Sequence, residues 1–128
     1  MVVILFLFAH TVQAQNANNH WFFGNRAGLQ FTAGGITTLT SGQLVSYEGC
    51  ASVSDDVTGD LLFYSNGLQI WNRLHEVMPN GDGVLGGAFT SSTQGVVIVP
   101  QPDSETRYFV FTVDETIGGA TNGFRYSV

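Results

Sequence analysis

The chain has no lysine, one cysteine and only three prolines in 128 residues. Each scarcity narrows what it can be. Four arginines against ten acidic residues leave a formal net charge of −6, which repels phosphate backbones and anionic lipid surfaces. Nucleic acid is not expected as a partner. With Cys50 alone, no internal disulfide can form, so the fold must rest on packing and strand pairing. On a strand predicted at Cys50–Ser54, the thiol reads as a small buried hydrophobe, because nothing nearby would lower its pKa. Apolar runs of the length needed to cross a bilayer as a helix, about 20 residues, are also missing.

The longest apolar run opens the chain, from Met1 to Ala9, and leads into Val12-Gln13-Ala14. Small or β-branched residues at those two outer positions are what a signal peptidase reads. A signal peptide over residues 1–14 is therefore expected, with the cut between Ala14 and Gln15 and no transmembrane segment. The product is expected outside the cell, secreted or surface-held. No Lys or Arg follows Met1 where an n-region carries its positive charge, so the start reads as truncated.

Helical spacing of apolar residues is absent, and period-two alternation is abundant. Leu29–Ala33 and Phe124–Val128 each alternate apolar and polar, the signature of a strand with one buried face. Glycine, asparagine and proline punctuate the intervals at Ala33–Gly35, Asp55–Asp60, Ser65–Gly67, Pro79–Gly83 and Pro100–Ser104. Asn66-Gly67 is the strongest turn signal and predicts a two-residue hairpin loop. Phe63 and Ile70 are expected on the strands it joins, both substantially buried.

One pattern recurs three times. An apolar stretch and a turn precede Gly28-Leu-Gln-Phe31, Gly67-Leu-Gln-Ile70 and Gly123-Phe-Arg-Tyr126. Two meanders follow from it: Cys50–Ser54, Leu61–Ser65 and Leu68–Asn72, then Gly95–Pro100, Tyr108–Val113 and Phe124–Val128. Their leading glycines, Gly49 and Gly95, stand 46 residues apart, close to the ~40–50 of propeller blades. Trp21–Gly24, Leu29–Ala33 and Ile36–Leu39 supply a partial third unit. The expected fold is all-β, with antiparallel meanders forming two to three blades of an incomplete β-propeller over residues 15–128. Closed propellers need about four to eight blades. The chain also stops at Val128 within an alternating strand, so it reads as an N-terminal fragment of a larger protein.

Candidate chemistry is sparse. Asp55, Asp56 and Asp60 around Gly59 resemble a calcium loop, since hard cations want several oxygens from one tight turn. EF-hand spacing is not met, and a hydrophilic hairpin turn is the simpler reading. His20 and His75 form a metal pair only if the fold joins distant loops. Asp114 and Glu115 are candidate carboxylates for a glycan hydrolase, provided acids converge across a cleft. Ser91-Ser92-Thr93 lacks the nucleophile elbow, and no Ser/His/Asp set stands out. Phe63, Tyr64, Trp71 and Tyr108 read either as a sugar platform or, more simply, as core.

The blocks EGCASVSD, LLFYSNG and IWNR, in that order, together with WFFGNRAGLQF and GFRYSV, carry a resemblance. Nearly all of Trp21–Val128 resembles the N-terminal propeller-like region of large secreted surface proteins described as gliding-motility-associated or PKD-domain-containing. That resemblance implies export by type IX secretion and a cell-surface adhesive role without catalysis, and it brings no site residues. The expected function is a non-catalytic binding or adhesion module for an extracellular glycan or protein, joined to the remaining domains of its parent chain. A propeller-type glycan hydrolase and a structural spacer are the alternatives.

Overall fold

The computed structural model describes residues 16–86, 92–115 and 119–128. The expected signal peptide and its cut between Ala14 and Gln15 lie outside the described residues. Among the described residues a 3-10 turn at Asn16–Asn18 is followed by ten strands: β1 (His20–Phe23), β2 (Ala27–Thr32), β3 (Gly35–Leu39), β4 (Ala51–Ser54), β5 (Leu61–Ser65), β6 (Gln69–Asn72), β7 (Val77–Asp82), β8 (Val96–Pro100), β9 (Tyr108–Val113) and β10 (Phe124–Ser127). The protein is all-β, as its alternation predicts.

The strands form three antiparallel meanders, β1-β2-β3, β4-β5-β6-β7 and β8-β9-β10. None closes on itself. Each pairs only neighbours in sequence, so every connection is local. The first strand of each meander lies at its sheet's edge, and β4 approaches both β1 and β8. The second sheet therefore sits between the other two.

Period-two alternation gives each sheet two working faces. His20 and Phe22 of β1 point toward the second sheet and are buried, while Trp21 and Phe23 point away and are exposed. The interface of the first two sheets is the core: Phe22, Leu44, Leu61, Tyr64 and Trp71, with Leu39 and Cys50 against it. Phe22 stacks on Tyr64 at 4.3 Å between ring centroids, and Tyr64 stacks on Trp71 at 5.4 Å. Leu44 arrives from the irregular segment joining β3 to β4. That segment is laced to the β1–β2 turn by Arg26 N–H to the Leu44 carbonyl and Ser46 N–H to the Gly24 carbonyl, both 2.8 Å.

Four sequence expectations need correction. Pro79–Gly83 is not a turn: residues through Asp82 form β7, and an edge strand tolerates Pro79 because its missing N–H need not pair. A register shift opposite it, between Gln69 and Trp71, goes with the left-handed Asn80 (φ 60). The Asn66-Gly67 loop is longer than two residues, since Ser65 pairs with Ile70. Only Gly67 takes positive φ there, and the Asn66 carboxamide oxygen instead accepts from Leu68 and Gln69 N–H. Gly28 is no counterpart of Gly67 and Gly123, which turn the chain with positive φ; it lies inside β2, buried, within 3.0 Å of where a side chain would strike the Phe22 ring. Phe63 and Ile70 do sit on adjacent strands, but both are only half-buried.

Candidate functional site

Two polar clamps tie the second sheet to the chain that precedes it, one through β1 and one through the segment joining β3 to β4. His20 Nδ1 lies 3.0 Å from Ser54 Oγ. The imidazole also faces the Gly59 carbonyl, which favours its charged form. Burial pushes the His20 pKa down, Asp60 and that carbonyl pull it partly back, and His75 adds to the depression. A serine, a histidine and an aspartate are thus neighbours, brought together by tertiary packing alone. Ser54 is 1% exposed, however, and no substrate carbonyl can reach its oxygen. The group is a structural tie across 34 positions of chain.

In the second clamp the Gln43 backbone N–H donates to the Tyr64 hydroxyl, which donates in turn to His75 Nδ1, each at 3.0 Å. Burial lowers the His75 pKa and raises that of Tyr64. Both histidines are therefore held neutral. The unfolded chain binds protons more readily below about pH 6.5 than the folded one, so folding free energy is complete above that value and falls as pH drops through it. Melting temperature is expected to decline from pH 7 to pH 5, with a shallower decline in His75→Gln. An identical slope in that variant would refute the assignment.

The acidic residues do not gather. Among the described residues no three His, Cys, Asp or Glu side chains are placed to hold a metal ion. Asp55 Oδ1 instead accepts from the N–H groups of Val57 and Thr58 at 2.9 and 2.7 Å, which lowers its pKa, and Asp60 Oδ2 accepts from Thr58 Oγ1. These carboxylates shape the β4–β5 turn. Asp114 is buried, with Oδ1 taking Glu115 N–H and Oδ2 taking Asn122 N–H, so it closes the β9–β10 loop. Glu115 is buried beside it. Ser91 lies outside the described residues, and Thr93 Oγ1 donates to Glu48 at 3.3 Å. Burial raises the Cys50 pKa, as suits a packing residue.

The four aromatics separate into two pairs. Tyr64 (0% exposed) and Trp71 (4%) are core. Phe63 and Tyr108 are half-buried, meet edge to face at 5.3 Å and line a cleft of about 500 Å³ between the second and third sheets. Ile70 and Val110 form its floor, while Asn80 and Arg107 stand at its margin. Burial, and then the carboxylates of Asp56 and Asp55, raise the Tyr108 pKa, so its phenol stays a neutral donor. Two aromatic rings, an apolar floor and a few convergent polar groups make this the best-equipped concavity for a ligand. Asn80 could not be foreseen as part of it, because the sequence placed it in a turn.

No known protein family matches the chain, and neither a curated protein nor a solved structure is similar to it. Among the described residues no helix is long and apolar enough to cross a membrane.

Proposed function

We propose that this chain is a non-catalytic binding module carried outside the cell, built as three blades of a β-propeller, with the cleft beside Phe63 and Tyr108 as its ligand site. The observation that carries the reading is that cleft's composition. Half-buried aromatic rings next to an arginine and an asparagine suit the apolar faces and hydroxyl groups of a sugar. The carboxylates of Asp55 and Asp114, by contrast, are engaged in a turn and in loop closure. The propeller reading is supported by three sequence-local meanders whose first strands lie side by side. Export is supported by the apolar run before Ala14, and the resemblance to gliding-motility-associated surface proteins extends it to type IX secretion and adhesion.

Glycan-array binding tests the site. Tyr108→Ala and Arg107→Ala are each expected to weaken retention about ten-fold or more, the effect of roughly 1.4 kcal/mol of lost contact. Binding that survives both substitutions would move the site elsewhere, and an array with no signal would remove the glycan reading.

A further inference from the structure

The cleft beside Tyr108 does not end at Asn80. A second pocket, of about 320 Å³, shares Asn80, Val84 and Ser127 with it and runs on between the end of β7 and the strands β9 and β10, past Thr112 and Arg125. Together they make one groove between the second and third sheets, aromatic at one end and polar at the other. Register places the arginine: Arg125 pairs with Thr112 across β10 and β9, and cross-strand partners share a face. Thr112 is buried in step with Val110, so that face looks toward the second sheet. Arg125 Nε donates to the Asn122 carbonyl at 2.6 Å, which fixes the stem and leaves the two terminal nitrogens of the fork. Among the described residues no carboxylate pairs with them. Asp114, the next side chain on that face beyond Thr112, is buried and accepts from the Glu115 and Asn122 N–H groups instead. The Thr112 hydroxyl has no partner either, and it stands as an unspent donor in the wall of this pocket.

We propose that the groove takes an acidic glycan, one that carries a carboxylate or a sulfate ester, with a sugar ring against Phe63 and Tyr108 and the anionic group at Arg125. This rests on the sugar reading of the Tyr108 cleft and adds the charge of the sugar. A guanidinium presents parallel N–H donors that match two oxygens of a carboxylate or sulfate, and such charge-assisted bonds are about twice as strong as neutral ones. Asn80, shared by both pockets, offers a carboxamide to the hydroxyl groups between. Orientation follows from the fixed charges. The Tyr108 end faces the carboxylates of Asp56 and Asp55, which disfavour a further negative charge there and send it to the Arg125 end. The net charge of −6 repels polyanions at long range, so selection occurs at contact. A glycan with isolated acidic groups therefore fits better than a densely charged one.

The test is an array of three matched oligosaccharide sets: glucose only, the same with one glucuronate, and the same with one glucose 6-sulfate. One or both acidic sets are expected to be retained about ten-fold better than the neutral set, and which of them leads tells carboxylate from sulfate. Arg125→Gln is expected to bring the acidic sets down to the neutral level. In the unaltered chain, the Arg125 Nε–H resonance is expected to shift on titration with the preferred acidic set and to stay in place with the glucose set, a readout that needs no variant to fold. Equal retention of all three sets would overturn the acidic ligand and leave the sugar site standing. An acidic preference that persists in Arg125→Gln, or an Arg125 resonance that the acidic set does not move, would overturn it as well, because the charge would then be read elsewhere. Silence on all three sets would remove the sugar site itself, and the acidic ligand with it.

Discussion

Phe22→Ala is expected to remove about 3–5 kcal/mol of folding stability, most of what a domain with a total of about 5–15 kcal/mol possesses. The ring is 2% exposed, stacked on Tyr64 at 4.3 Å and met edge-on by His75 at 5.5 Å. Two of its walls are backbone: a methyl group built on Gly28 or Gly42 would come within 3.0 or 2.6 Å of it. Such walls cannot lean inward when the ring is removed, so the cavity stays open and the loss falls at the upper end of the range. Phe63, half-buried beside its cleft, serves as the comparison, and Phe63→Ala is expected to cost about half as much. Urea melts of both variants check the order. Equal losses would show that the packed centre lies between the second and third sheets instead.

What the sequence made legible was whatever depends on local chemistry. Leu61–Ser65 and Tyr108–Val113 were legible as short apolar stretches between turn formers, and the structure repeats their bounds. The Asp55–Asp60 turn was readable for the same reason: its carboxylate bonds amides two and three residues ahead. β7 was hidden, because Pro79, Asn80 and Gly81 have turn chemistry and their strand state comes from pairing with β6. The clamps escaped detection as well. Tyr64 and His75 are 11 positions apart and His20 and Ser54 are 34 apart, so only tertiary packing brings them together. Phe63 and Tyr108 were legible as aromatics on strands, yet their separation from Tyr64 and Trp71 depends on which sheet each face meets.

The 46-residue interval between Gly49 and Gly95 was visible as a period, and its cause is a backbone crossing. A Cβ on Gly49 would stand 2.5 Å from Gly95 N, 2.6 Å from the Ser92 carbonyl oxygen and 2.8 Å from Gly95 Cα. All three are main-chain atoms, so no rotamer change relieves the clash. The atoms are also committed: Gly95 N–H donates to Ser92 O at 2.9 Å, and Gly95 O accepts from Val113 at 3.0 Å, at the β9 end of the third sheet. Gly67 packs against the same carbonyl, and a Cβ on Gly86 would in turn run into Gly67 O. Gly49, Gly67 and Gly95 therefore let the second and third sheets meet at backbone distance. Gly49→Ala is expected to cost about 3 kcal/mol, the upper part of the overpacking range, and to loosen the cleft beside Tyr108 because both of its walls must shift. Gly34→Ala is the control. Its new methyl group meets nothing nearer than Thr32 Oγ1 at 3.6 Å, and a change within about 0.5 kcal/mol is expected. Thermal melts of the two variants, with Tyr108 fluorescence followed in parallel, check both statements; equal stability of Gly49→Ala and Gly34→Ala would mean that the third sheet does not dock on the second through this crossing.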